Sequence, residues 1–356
     1  MPESIHLIVD GQRYGGWQKL RVRRSMQQIA NSFEVTITEK WPGTEARRPI
    51  TAGAECELAL GGDRVIAGFV DDVNPSYDSE SHSVTVAGRD RTGDLVDCSA
   101  DGAQAKGKDL AQLAQRLCKP FDIPVAIAAG VNVGPKFDTW KPDEFATVYD
   151  ILEQAARIRG VLLVSDGAGG LEITQASEQR ANTELVLGEN VLAASAQFSQ
   201  RDVFSEYVIL SQIAGSDRFN REDAAQIAGR AAGDNVARHR PNRAKAEEPS
   251  DKTACRTRAK WKRNVHYGRS RQVQYTVAGW RDGGDLWQPN RRVRIRDPFM
   301  GLDTADADSD YLIADVEFTL DDEGTRTRLT AMPPEAFARK QVPEPGSEKD
   351  DAAWGP

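Results

Sequence analysis

The residues of this chain best suited to chemistry fall into a few groups, and each lacks something its chemistry requires. Gly102-Ala103-Gln104-Ala105-Lys106-Gly107-Lys108 fits GxxxxGK ahead of a helical segment. In a phosphate loop the backbone N–H groups cradle phosphate, and a Ser or Thr after the lysine binds Mg²⁺. Here that place holds Asp109, a carboxylate beside phosphate charge, and Asp97–Asp101 before the loop is not an apolar strand. The start of a helix is the better reading. Gly167-Ala168-Gly169-Gly170 follows an apolar strand but leads into another strand. No helix N-terminus would face a pyrophosphate, so a hairpin turn is expected. Asp306, Asp308, Asp310 and Glu317 have the spacing of calcium-loop ligands, but Tyr311 stands where the sharp turn needs glycine. The second half also alternates like a strand, which points neighbouring side chains apart. A solvated acidic loop is expected.

The histidines His6, His82, His239 and His266 are scattered and share no ligand spacing with a cysteine or carboxylate. Cys56, Cys98, Cys118 and Cys255 form no CxxC pair and are read as reduced, buried or semi-buried thiols. No GxSxG, HExxH or Cys/His signature is present. No catalytic, cofactor-binding or metal-ligating residue is therefore assigned, and no enzyme is expected. The densest basic stretch has Lys252, Arg256, Arg258, Lys260, Lys262, Arg263, Arg269 and Arg271, with Trp261 and Tyr267 among them. Such a mixture can grip phosphates and stack bases. With a formal net charge of −8 over the chain, no global field recruits nucleic acid. A solvated helix, or one docking on an acidic protein surface, is the better reading.

Several elements must position these residues. Ile5, Leu7 and Val9 alternate, as do Phe33, Val35 and Ile37, and Glu55–Leu60 and Arg64–Val73 flank Gly61-Gly62. Short alternating runs with glycine turns predict a small sandwich or barrel over 1–95, with Trp41-Pro42-Gly43 as one of its turns. The period then lengthens. Leu110, Leu113, Ala114 and Leu117 share a helical face that Pro120 ends. Val148, Ile151, Leu152, Ala155 and Ile158 form a second stripe, with Arg157 and Arg159 in its last turn and Gly160 after it. A hairpin at Val161–Thr174 completes an α+β insertion over 96–182. Strands return over 183–335, which also holds a polar arm at about 214–250 and a basic helix at about 251–268. The tail, 336–356, has too little apolar content to fold alone. MPESIHLIVDG carries no signal peptide, and no apolar run approaches a membrane span. A soluble protein made in the cytoplasm, with no membrane insertion, is expected.

One pattern occurs twice. Ile66–Asp90 holds a strand with Asp71-Asp72-Val73, an acidic turn, and a second strand with Val84 and Val86. Tyr311–Met332 repeats the plan with Asp315-Val316-Glu317, an acidic turn, then Leu329 and Ala331. Repeated β modules fit a scaffold better than a single-site enzyme. The predicted fold is mainly β, with two similar β-barrel domains and a small α+β domain.

An ordered set of segments carries a family resemblance over about residues 4–338. It comprises VDGQRYGGWQKLRVRRSMQQIANSFEVTITEKWPG, GRDRTGDLVDCS, YDILEQAARIRGVLLVSDGAGGLEIT, DNVARHRP with Ala259-Lys260-Trp261, VAGW, LWQPNRRVRIRD and YLIADVEFTLDDEGTRTRLTAMPPEAF. The chain resembles the Mu-like phage tail protein P family of baseplate hubs. That family is related to the hubs of contractile tails and to the N-terminal part of type VI secretion spike proteins. The resemblance implies a homotrimer in which each subunit gives two tube domains, so that three subunits form a ring of six near-equivalent modules. It implies as partners a central spike protein, a tail tube or distal tube protein, a tape-measure protein and baseplate wedge proteins. DNA would pass through the channel without specific binding, past an acidic or neutral lining, with Lys/Arg-rich segments turned outward or into interfaces. The protein would be a virion component of the tail baseplate, assembled in the host bacterial cytoplasm. The alternative is a monomeric β module that binds carbohydrate or protein.

Overall fold

A computed structural model describes residues 4–38, 50–79, 82–101, 106–137, 145–211, 227–233, 236–246, 251–303 and 310–338. The first region contributes β1 (Ile5–Val9), β2 (Gln12–Tyr14), β3 (Lys19–Ser25), β4 (Ser32–Thr38), β5 (Glu55–Leu60), β6 (Asp63–Tyr77) and β7 (His82–Asp90). An α+β segment follows, with α1 (Gly93–Asp97), α2 (Leu110–Cys118), β8 (Val125–Ile127), α3 (Val148–Arg159), β9 (Leu162–Ser165) and β10 (Leu171–Thr174). The remainder holds β11 (Leu185–Val186), β12 (Val191–Phe198), β13 (Glu206–Ser211), β14 (Ile227–Ala232), β15 (Pro241–Lys245) and α4 (Lys252–Arg269). It ends with β16 (Arg271–Ala278), β17 (Arg281–Asp282), β18 (Asp285–Leu286), β19 (Arg292–Arg296), β20 (Asp310–Asp321) and β21 (Gly324–Met332).

Alternation builds the strands. In β3, Leu20 and Val22 are buried while Lys19 and Arg21 face out, as a period of two requires. The helices are fixed at their ends by local chemistry. Asp109 accepts from the Gln112 N–H at 2.8 Å and Gln112 Oε1 accepts from the Asp109 N–H, a reciprocal cap on α2. Thr147 and Asp150 cap α3 in the same way. Gly160 ends α3 at φ 71°, a left-handed conformation that glycine adopts without a Cβ penalty.

Most strands join one large antiparallel sheet. Its order is β12-β16-β21-β20-β3-β4-β7-β6-β5-β1-β2, with β19 on the first part of β20 and β11 on β19. Within it lies a repeat. The strands β5-β6-β7-β4-β3 stand side by side in the same order as β19-β20-β21-β16-β12. Both central hairpins carry a bulge at matching positions, between Val70 and Asp72 and between Ile313 and Asp315. Val70 faces Gly88 as Ile313 faces Ala331, and Val73 faces Val86 as Val316 faces Leu329.

The closed barrels expected for the two repeats do not form among the described residues. Instead β20 pairs with β3, from Asp315↔Ser25 to Leu320↔Leu20, and fuses the repeats into one sheet. One apolar cluster spans both, from Leu7 and Leu58 through Val22 and Phe33 to Phe318 and Leu329. Alternation marks a half-buried strand but carries no information on which strand covers its edge, so closure is not readable from it. The Trp41-Pro42-Gly43 turn and the tail from residue 339 lie outside the described residues.

Two smaller units flank the sheet. The α+β unit packs α2 and α3 on the sheet β8-β10-β9. The second unit draws two of its strands, β14 and β15, from the predicted polar arm and adds β13 and the basic helix α4. There β14 and β15 pair on either side of β13, and α4 covers them through Cys255 and Ala259. The segment Ile227–Ala232, IAGRAA, is strand without β-branched alternation. Its packing under α4 depends on Gly229, where a Cβ would lie 2.1 Å from the Arg256 backbone nitrogen.

Candidate functional site

The residues singled out from the sequence are not brought together. Gly102–Ala105 lie outside the described residues, and Asp109 is occupied as a helix cap. Gly167–Gly170 make the turn between β9 and β10, where Asp166 Oδ1 accepts from the N–H groups of Ala168 (2.6 Å) and Gly170 (2.8 Å). Asp306 and Asp308 lie outside the described residues. Asp310 accepts from Arg180 at 2.9 Å, and Glu317 is held between two arginines. His266 puts Nδ1 2.5 Å from the Asp202 carbonyl oxygen. Burial lowers the His266 pKa, aided by the charges of Lys262 and Arg269. Burial pushes the Cys56 and Cys118 thiols up to about 12, far from a reactive thiolate. None of the four cysteines is in a disulfide; Cys98 is half-buried and the others are buried.

The basic helix α4 turns Cys255, Ala259, Val265 and Gly268 inward and rests on β13, β14 and the turn Pro334–Phe337. Trp261 donates from Nε1 to the Ala338 carbonyl at 2.8 Å. A cleft of about 670 Å³ separates this helix from α3, lined by Glu153, Arg157, Trp261, His266, Arg269 and Phe337 among others.

The arrangement with most content is the large sheet itself. Directly opposed residues share a face, and the registers therefore collect Lys19, Arg21, Glu34, Thr36, Asn74, Thr85, Gln274, Glu317 and Arg328 on one side. This side is polar, with both signs of charge interleaved. Arg21 Nε donates to Glu317 Oε2 at 2.8 Å, and Arg328 donates to Glu317 Oε1 at 3.2 Å. Arg23 donates to Asp315 at 3.3 Å. Thr36 and Thr85 meet hydroxyl to hydroxyl at 3.1 Å, and Ser76 meets Ser83 at 2.8 Å. Among the described residues such a surface offers no unbroken cationic track for phosphates.

Sequence reasoning missed the joint between the sheet and the α+β unit. Asp90, at the end of β7, accepts from the N–H groups of Asn31 and Thr92 (both 3.1 Å), the Thr92 hydroxyl (2.5 Å) and the Ser165 hydroxyl (2.5 Å). Burial raises the Asp90 pKa, and these hydrogen bonds oppose the rise. Burial likewise lowers that of Arg24, against the pull of Asp90 and Asp166. Arg89 donates to Asp71 at 2.7 Å and to Asp97 at 2.7 Å, tying β7 to β6 and α1. Those side-chain hydrogen bonds hold its pKa above the ordinary guanidinium range. The one local signal was Asp90-Arg91-Thr92, in which an aspartate bonds its own backbone two residues on.

The two outermost features of the repeat are open. The outer edge of β12 and the part of β6 beyond Asp72 pair with no strand on their free side among the described residues.

Comparison with known proteins fits this picture of a strand scaffold. Residues 4–90 match the family Mu phage baseplate assembly protein GpP-like, N-terminal. Residues 92–175 match baseplate hub protein gp44-like, second domain, and 251–340 match Mu phage baseplate assembly protein GpP, fourth domain. The chain is 32% identical over 346 residues to baseplate hub protein gp44 of Escherichia phage Mu, covering 95% of this chain and 89% of that one. The 43 kDa tail protein of prophage MuSo2 from Shewanella oneidensis superposes with a TM-score of 0.83 at 35% identity, over 95% of this chain and 100% of that one. A tail protein from Neisseria meningitidis MC58 shares the fold, with a TM-score of 0.80 at 22% identity over 96% and 99%. The chain belongs to the Mu phage baseplate hub family, structural and non-enzymatic proteins of the phage tail baseplate.

Proposed function

We propose that the chain forms a homotrimeric ring of six near-equivalent β modules. This ring joins the tail tube, or a distal tube protein, to a central spike and gives the genome a channel out of the tail. The observation that carries this reading is the repeat of β5-β6-β7-β4-β3 by β19-β20-β21-β16-β12 in one sheet. Internal repetition lets three chains present six similar surfaces, so a threefold spike and a sixfold tube can meet at one ring. In this reading the two repeats are the tube modules, within 1–95 and 183–335. The α+β unit at 96–182 lies outside the ring, and 336–356 is a C-terminal extension. The polar face of the sheet lines the bore. Its arginines are paired with Asp315 and Glu317, which supports passage of DNA without specific binding. Tape-measure and baseplate wedge proteins are the remaining neighbours, and assembly takes place in the host cytoplasm.

Native mass measurement with negative-stain imaging tests the reading. A trimer of about three times 39.1 kDa with a ring outline is expected. A monomer at high concentration with no ring would sink it and favour a monomeric ligand-binding β module.

A further inference from the structure

The joint that fuses the repeats inside one chain specifies the joint between chains. Within the chain, β3 lies antiparallel to the second part of β20, with Val22 opposite Phe318 and Arg23 opposite Glu317. The repeat assigns counterparts to both strands. Val22 faces Phe33, which faces Gly88, as Ala196 faces Val273, which faces Ala331, so β12 stands where β3 stands. The second part of β6, from Asp72 to Tyr77, stands where Asp315–Leu320 of β20 stands. These counterparts are the two open edges.

We propose, resting on the ring reading above, that β12 of one subunit pairs antiparallel with the second part of β6 of the next. The copied register places Asp72 opposite Ser199, Val73 opposite Phe198, Asn74 opposite Gln197, Pro75 opposite Ala196, Ser76 opposite Ser195, and Tyr77 opposite Ala194. The occupant of each edge is therefore a second copy of this chain.

Burial supports this occupant. Phe318 is fully buried, whereas its counterpart Pro75 is exposed. Large apolar side chains stand in solvent on both edges, with Tyr77 85%, Leu192 58% and Phe198 47% exposed. Long open edges with apolar side chains invite pairing with another strand. Pro75 has no N–H to give but still offers its carbonyl, so the ladder loses one donor and keeps the rest. The chemistry of the two joints also differs. Arg21 and Arg23 meet Glu317 and Asp315 inside the chain. Their counterparts Ser195, Gln197, Asn74 and Asp72 are amides, a hydroxyl and one acid. The joint between subunits thus depends on backbone pairing and apolar cover, and the trimer should resist salt that screens exposed ion pairs.

Asn74→Cys/Gln197→Cys in the full chain tests the register. Both positions are exposed, and directly opposed strand residues suit a disulfide. Mild oxidation should give a disulfide-linked ladder that stops at the trimer on a non-reducing gel and is absent from either single variant. Arg23→Cys/Glu317→Cys should close within one chain and serves as the internal reference. Asn74→Cys/Phe198→Cys, with side chains on opposite faces, should not cross-link. If the protein is trimeric by mass but the first pair gives no link, the register is overturned and the ring stands. If it is monomeric with no link, both fall. A ladder running past the trimer overturns closure at three.

Discussion

The hairpins β6–β7 and β20–β21 share a register and a bulge, yet one is half bare and the other wholly covered. Beyond the bulge, β20 buries Phe318 and half-buries Leu320, whereas their counterparts on β6, Pro75 and Tyr77, stand in solvent. The fold of the two is the same; the neighbours are not. Their residues record that difference. The inner side has exchanged volume as well: Gly88 sits against the Phe33 ring, where the other hairpin has Ala331 beside Val273. A Cβ on Gly88 would lie 2.2 Å from the Phe69 carbonyl oxygen and 2.7 Å from the Phe33 ring. Hairpins of one register and one bulge thus diverge in side chains, each fitted to what lies against it.

The strongest way to break the comparison is at the matched pair Phe318 and Pro75. Phe318→Ala should cost about 3–5 kcal/mol, read by denaturant unfolding, because it empties a site in the shared core. Pro75→Ala should change subunit stability by less than about 0.5 kcal/mol. Equal effects would mean that β6 is covered in the isolated subunit.

Asp90 is next, with no acidic counterpart in the second hairpin, where the place belongs to Pro333 after Met332. Asp90→Ala leaves the N–H groups of Asn31 and Thr92 and the Ser165 hydroxyl short of an acceptor. A loss of about 3 kcal/mol is expected. The pH arm has a definite sign. The folded protein holds this proton more tightly than the unfolded chain, because burial raises the pKa above its ordinary 3.8. The contribution is fully present below 3.8 and is lost as pH rises through the folded value. Stability measured against pH should therefore decline more steeply over that window than in Asp90→Asn.

A sharper, smaller test exchanges volumes between the hairpins. Gly88→Ala should cost about 3 kcal/mol, chiefly because its Cβ would meet the Phe69 carbonyl oxygen, and adding Phe33→Val should recover only the smaller share due to the ring. Ala331→Gly should cost about 1 kcal/mol, mostly through backbone freedom. Additive behaviour of Gly88→Ala and Phe33→Val would show that the two positions are not coupled. The smallest effect is expected on the polar face. Arg21 is 61% exposed where it meets Glu317, so Arg21→Ala should move stability by under about 1 kcal/mol.

Much of this was legible in the residues. The repeated hairpin, the helical stripes of α2 and α3, the glycine stop at Gly160 and the turn at Gly167–Gly170 all rest on local chemistry that sequence displays directly. The basic helix showed itself through its periodic Ala254, Trp261 and Val265, although Cys255 and Ala259 make its buried contact. The fusion of the repeats was not legible, because which edge meets which is a matter of long-range register. Nor was the Asp90 joint, since Ser165 and Asn31 reach it from distant parts of the chain. The strands at Ile227–Ala232 and Pro241–Lys245 escaped because alanine, glycine and polar residues give no alternating signal.

The pairing of β3 with β20 also sets an order of events during synthesis. Arg21 and Glu317 are 296 residues apart. At roughly 5–20 residues per second, β3 would leave the ribosome on the order of tens of seconds before its covering strand is made. Through that interval the nascent first repeat carries an additional bare edge of the same kind as β12. A neighbouring nascent chain on the same messenger offers an equivalent second part of β6, so a premature cross-chain pairing competes with the internal one. The arginines Arg21 and Arg23 bias that competition, since only β20 brings both Asp315 and Glu317 to meet them.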